Sequence, residues 1–375
     1  MREYLVVFLV AGTVSYLLCV VARELAMHSG AVAQVRDRDV HAIPIPYFGG
    51  IAMLGGLSAG YLVAQHLPFL SLAGDRVFHD AGVVVVAGAI ICAVGVLDDL
   101  IELDALTKLG GQILAAGFLV LNGVQFYSLN LPGVGQFSLD PSQGVILTIL
   151  LVVGTVNAVN FVDGLDGLAA GVVGIGAVAF FAFSYKLADV NNETLAITAA
   201  LLCAALGGAC AGFLPHNFSP ARIFMGDSGS MLLGLVLAGS ALTLTGQFSS
   251  VDLSSGAAGS RANAALLLPI LLPISILLVP FTDLVLAVVR RTREGKMFYH
   301  PDKKHLHHRL LEIGHSQRRA VLIMWLWASL IAFGTVLASL FASTWTWVAI
   351  ATWAVATLAA TFLLPRFHRP GEAPV

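Results

Sequence analysis

Eleven stretches of about eighteen or more residues with few or no charges run through this chain. They lie near 4–22, 48–65, 81–97, 109–127, 143–161, 167–185, 194–214, 229–246, 262–289, 320–342 and 344–364. Only a lipid bilayer accommodates so many apolar segments in one chain. Of its 375 residues, 58% are hydrophobic and 11% charged, against roughly 25% charged in an ordinary soluble domain. A disordered chain, a nucleic-acid binder and a conventional cytosolic enzyme are thereby excluded, and the net charge of −2 gives no field for a polyanionic partner. The expectation is an all-α polytopic membrane protein forming one integral membrane domain over residues 1–375, with no internal repeat and no soluble domain. The first span lacks a small-residue cleavage site and reads as a retained helix. The third and eighth spans are short enough to be tilted or extended into their loops. The ninth contains Pro269, Pro273 and Pro280, which should bend or break it.

The basic residues orient these spans. With eleven crossings, Arg2, Arg76, Lys186 and Arg261 fall on one side and the remaining sixteen of the 20 Lys and Arg on the other. The positive-inside rule then puts the N-terminus outside and the C-terminus in the cytoplasm. All four cysteines, Cys19, Cys92, Cys203 and Cys210, lie within apolar spans and read as packing residues.

The scarce polar residues fall into clusters on the cytoplasmic side. Asp98 and Asp99 close the third span, followed by Glu102, Asp104 and Lys108. Asn157, Asn160, Asp163 and Asp166 close the fifth, Asp227 opens the eighth, and His305, His307 and His308 follow the ninth. Carboxylates near the bilayer are costly, and several at one depth repel each other unless a cation sits among them. Hard oxygen ligands in a partly open site suit Mg²⁺, with Mn²⁺ as an alternative. At 100° per residue, Asn157, Asn160 and Asp163 fit within an arc of about 120°. Gly164 and Gly167 offer a break that lets Asp166 swing back toward the same pocket. Asp98 and Glu102 share a helix face while Asp99 points about 100° away, so adjacent carboxylates can serve different roles. The loop from Arg290 to Arg319 is strongly basic. It suits either anionic headgroups or, through its imidazoles and guanidinium groups, a phosphate or diphosphate. Arg36, Arg38 and His41 in the first cytoplasmic loop add further anion donors. Neither a Walker A motif nor a G-x-G-x-x-G fingerprint is present, so any nucleotide is held by loops at a membrane face.

In order along nearly the whole chain, these motifs resemble the polyprenyl-phosphate N-acetylhexosamine-1-phosphate transferases. The matching elements are Arg38-x-x-His41 with Pro44 and Gly49-Gly50, Asp98-Asp99, Lys108-Leu-x-x-Gln112, Asn157-Ala-Val-Asn-Phe-Val-Asp-Gly-Leu-Asp-Gly-Leu168, Phe224-Met-Gly-Asp-Ser-Gly and His305-Leu-His-His-Arg-Leu. The resemblance implies ten or eleven transmembrane helices, a cytoplasmic active-site cleft and a plasma-membrane location. Leu306, which interrupts the histidine run, points to the branch that transfers GlcNAc-1-phosphate. The sequence around His305–Ala320 looks most like actinobacterial members that use decaprenyl phosphate and begin the linker between arabinogalactan and peptidoglycan. Implied partners are UDP-GlcNAc, a polyprenyl phosphate and the membrane, with a homodimer allowed and no nucleic acid.

By the same resemblance Asp227 is the Mg²⁺ ligand, assisted by Asn160. Asp98 orients the lipid phosphate, deprotonates it or forms an aspartyl-phosphate, and Asp99 shapes the metal's surroundings. Lys108, Asn157, Asp163 and Asp166 correspond to nucleotide contacts, and Phe224 to a ring that stacks on uracil. His305, His307 and His308 would meet the diphosphate or sugar, Arg291 or Arg293 the GlcNAc, and the lipid would lie along the bent ninth span. Two other readings of the residues remain: an aspartate-rich membrane prenyltransferase, suggested by Asp98-Asp99 with Asp104, and an ion-coupled transporter.

Overall fold

A computed structural model describes residues 1–33, 44–131, 135–191, 194–245, 314–341 and 343–363. The ninth span with its prolines lies outside these residues, as do Arg36, Arg38, His41, Arg291, Arg293, His305, His307 and His308.

Ten α-helices make up the described chain: α1 Arg2–Ser29, α2 Gly49–Ala64, α3 Asp75–Ile101, α4 Ala105–Leu121, α5 Pro141–Val162, α6 Leu168–Asn191, α7 Thr194–Asn217, α8 Gly226–Thr245, α9 Gln317–Leu340 and α10 Thr344–Leu363. Eight are long and apolar enough to cross a membrane, the shorter two being α2 and α4. The chain is therefore a multi-pass, essentially all-helical membrane protein. The third span is extended into its loops: α3 runs 27 residues, about 40 Å, with Asp75 and the acids at its far end lying beyond its apolar stretch. The fourth span ends earlier than the apolar run suggests, where Asn122 caps α4 and Gly123 takes a positive φ of 83°.

Two short antiparallel hairpins interrupt the helices: β1 Val32–Ala33 with β2 Ile45–Pro46, and β3 Ser128–Leu131 with β4 Gly135–Ser138. The first ends beside the N-terminus of α2. There Phe224 donates its backbone N–H to the Pro46 carbonyl, and Gly49 and Gly50 donate theirs to the carbonyls of Phe224 and Met225. The loop before α8 is thus sewn to the loop before α2.

At the centre stands α8, packed against α3, α5, α7 and α2 and buried along nearly its whole length. The approach is close because Gly95 of α3 and Gly50 of α2 face the backbone of Ser228 and Gly229, where a Cβ would collide with main-chain atoms. Small residues at such crossings are how membrane helices gain contact without a hydrophobic driving force between them. Around this centre, α1 packs on α7 and α2, α6 on α7 and α9, and α10 on α9. Most of α10 is exposed, as suits a helix facing lipid.

Candidate active site

Four helix ends meet at one pole of the bundle. The C-terminal turns of α3 and α5 bring Asp98, Asp99, Asn160 and Asp163, and the N-terminal turns of α4 and α8 bring Lys108 and Asp227. The two adjacent aspartates of α3 diverge, as their 100° separation requires. Asp99 turns toward α8, where its Oδ1 accepts the Asp227 backbone N–H at 2.8 Å and its Oδ2 that of Ser228 at 3.3 Å. A carboxylate on those otherwise unpaired donors satisfies the helix terminus and its positive dipole end. The same carboxylate lies where a side chain on Gly226 would be, and Gly226 holds a positive φ of 69°. Asp99 therefore orients the Asp227 loop.

Asp98 faces the other way. Its Oδ1 accepts the Leu103 N–H at 2.9 Å, and its Oδ2 lies 2.9 Å from the Lys108 ammonium. That ammonium is also 2.5 Å from Asp227 Oδ2, while Asp227 Oδ1 accepts from the Asn160 amide at 2.9 Å. Asn160 donates as well to Ser230 Oγ at 2.9 Å, and Ser230 returns a bond to the Gly226 carbonyl. The side chains remain partly open, 12% exposed at Asp98, 24% at Asp227 and 26% at Lys108.

Asn157 does not join this cluster. Its Nδ2 donates to Gln112 Oε1 at 2.7 Å, and Gln112, buried, donates toward Met231 Sδ. This amide pair ties α4 to α5. Gln112 follows Lys108 by one helical turn and Asn157 precedes Asn160 by one, so the spacing on both helices carried the signal.

Beyond α5 the helix does break. Asp163 caps it, and Gly167 adopts a φ of 78°. Asp163 has its carboxyl pushed up to about 8 by burial first, then by the charges of Asp227, Asp99 and Asp166. Asp166 is drawn toward the α7–α8 loop, where its Oδ2 accepts the Ala221 N–H at 3.1 Å. The buried Asn217, missed by sequence reasoning, joins the same two loops. It accepts from the Gly167 N–H at 2.9 Å and donates to the Ile223 carbonyl at 3.0 Å. The ring of Phe224 lies 6.2 Å from that of Tyr47.

Asp104 stands apart as the N-cap of α4, bonded to the backbone of Leu106 and Thr107 and to the Thr107 hydroxyl, which hold its carboxyl below the usual range. The three aspartates behind the prenyltransferase reading thus do separate work: Asp99 and Asp104 cap different helices, and only Asp98 faces the cluster. The transporter reading fares no better, since these acids sit at helix ends.

Among the described residues, no three His, Cys, Asp or Glu side chains form a metal-holding group. Mg²⁺ needs only one or two carboxylates, taking its other ligands from water and phosphates. Asp227 and Asp98 converge on one ammonium, that of Lys108. Such an all-oxygen, cation-demanding pair fits a hard divalent ion.

The sequence profile of glycosyl transferase family 4 matches residues 81–245, from within α3 to the end of α8. Fold, site and profile together define a membrane-embedded transferase, and the chain belongs to glycosyl transferase family 4. It is 46% identical over 337 residues to decaprenyl-phosphate N-acetylglucosaminephosphotransferase of Mycobacterium tuberculosis, spanning 89% of this chain and 82% of that one. A probable undecaprenyl-phosphate N-acetylglucosaminyl 1-phosphate transferase of Bacillus subtilis is 32% identical over 87% of this chain and 82% of its own length. A phospho-N-acetylmuramoyl-pentapeptide-transferase of Mycobacterium avium is 30% identical over 68% of this chain and 80% of its own.

Proposed function

We propose that this chain transfers GlcNAc-1-phosphate from UDP-GlcNAc to decaprenyl phosphate, giving decaprenyl-diphospho-GlcNAc and UMP at the cytoplasmic face of the plasma membrane. The observation that carries this reading is the pair Asp98 and Asp227 meeting around Lys108 at one pole of a membrane bundle. The mycobacterial relatives whose names specify decaprenyl phosphate and N-acetylglucosamine support the choice of substrates. The sixteen-to-four division of basic residues supports the cytoplasmic orientation, and the product would open an arabinogalactan-type linker.

In this reaction an oxygen of the lipid phosphate attacks the β-phosphorus of UDP-GlcNAc, and the bond to the bridging oxygen of UMP breaks. One diphosphate bond replaces another, so positioning and charge neutralisation dominate. The acceptor's second pKa near 6 leaves it mostly dianionic at neutral pH, so Asp98 need only orient it. Asp227, with Asn160 fixing its rotamer, would hold Mg²⁺, which supplies charge neutralisation of the diphosphate and of the departing UMP. Lys108 offers a mobile cation to the phosphates. Asp166 and Phe224 are suited to the uracil, and His305, His307, His308, Arg291 and Arg293 to the diphosphate and sugar.

The test is transfer of label from UDP-[³H]GlcNAc into lipid extract, with decaprenyl and undecaprenyl phosphate side by side and Mg²⁺ present or chelated. UMP release with Mg²⁺-dependent lipid labelling is expected. Release of inorganic diphosphate, or no lipid labelling with either acceptor, would overturn the reading.

A further inference from the structure

Both oxygens of Asp227 are taken before any substrate is considered: Oδ1 by the Asn160 amide and Oδ2 by the Lys108 ammonium. The same ammonium holds Asp98 Oδ2 at 2.9 Å. The chain thus supplies its own cation to the acid pair. A divalent ion drawn to Asp227 Oδ2 would meet a positive charge already there, and like charges at contact distance in a partly desolvated site repel strongly.

The surroundings decide which group gives way. The start of α4 is fixed by the Asp104 cap, and one turn on, Gln112 is pinned to Asn157 of α5. Asp227 is held from behind by Asp99 on its backbone and by Asn160 on its side chain. What can move is the four-carbon stem of Lys108, a compact charge on a flexible tether. We propose that Lys108 is the resident counter-ion of the Asp98–Asp227 pair, that it competes with the divalent cation for Asp227, and that it swings onto the anionic substrate when the metal takes its place. This rests on the phosphotransfer reading, and it makes metal and phosphate binding cooperative: phosphate draws the ammonium off the acid that the metal needs.

The full-length protein in detergent, without either substrate, provides the test. In a Mn²⁺ titration followed by electron paramagnetic resonance, Lys108→Met should bind the ion about tenfold more tightly than the unaltered protein, the equivalent of about 1.4 kcal/mol. Lys108→Arg, which keeps the charge, should not gain this affinity. Equal or weaker binding by a folded Lys108→Met protein would overturn the proposal. A second measurement needs no variant: acylation of Lys108 by an amine-reactive ester, read by mass spectrometry, should rise several-fold on adding Mg²⁺, and unchanged labelling would overturn the proposal too. Neither readout depends on turnover. A protein that passes both yet transfers no GlcNAc-1-phosphate would refute the enzymatic reading and leave the counter-ion standing.

Discussion

The two ends of α3 handle buried acid in opposite ways. Near its start, the buried Asp80 counts among its partners two neighbours on its own helix, Arg76 one turn before at 3.9 Å and His79 at 3.1 Å. At its finish, beyond the local Leu103 N–H on Asp98, Asp98 and Asp99 reach partners 10 to 129 residues away, on α4 and α8. A pair within one helix can form as soon as that helix does. A distant set exists only once four helices have docked, and its charges stay partly open to a ligand. The contrast sets an acid with close partners on its own helix against acids whose charges meet only in the assembled bundle.

The strongest way to break the contrast is to neutralise one acid at each end. Asp227→Asn should lower transfer by three orders of magnitude or about that, whereas Asp80→Asn should leave turnover within about twofold and affect only stability. Comparable losses from both, measured by lipid labelling at equal folded protein, would erase the distinction. A second, smaller effect concerns the helix crossing that aims Asp227. Gly95→Ala puts a methyl against the Ser228 backbone and should destabilise the protein by about 1–3 kcal/mol while depressing turnover. Gly117→Ala on α4, where nothing lies within 4 Å, should instead be neutral or stabilise by up to about 1 kcal/mol. Thermal unfolding of both variants checks this.

A third test is the pH response of Asp163. Its folded carboxyl titrates at about 8 against the ordinary 3.8. Above the unfolded value the unfolded chain therefore binds fewer protons, and metal-free stability falls as pH rises from about 4 through 8, then levels. Asp163→Asn should flatten that slope in melting curves taken from pH 5 to 8.5. An unchanged slope would assign the pH response to another group.

Much of this was legible in the sequence because membranes punish charge. The acids could stand only at span ends, and their alternation along the chain placed Asp99, Asp163 and Asp227 at one pole, where the structure brings them together. The 100° between Asp98 and Asp99 and the break at Gly167 were equally readable. Which acid caps α8 was not, because the cap crosses between helices and leaves no local pattern. The same holds for Asn217, whose two bonds depend on where distant loops settle. Asn157 corresponds by its motif to a nucleotide contact, and its bond to Gln112 is a pairing visible only if both helices are turned together. The β3–β4 hairpin did leave a trace in Pro132-Gly133 between two short alternating runs, overshadowed by the apolar spans on either side.

The cap that α3 lends to α8 also bears on how such a protein is made. Asp99 is synthesised 127 residues before Gly226, so during membrane insertion its carboxylate waits while four more helices are laid down. Until α8 arrives, neither the exposed amides of Asp227 and Ser228 nor the stranded acid has its match. Biogenesis therefore has a late step that closes the pole in one stroke, and a chain halted before Gly226 would hold its helices without holding a catalyst.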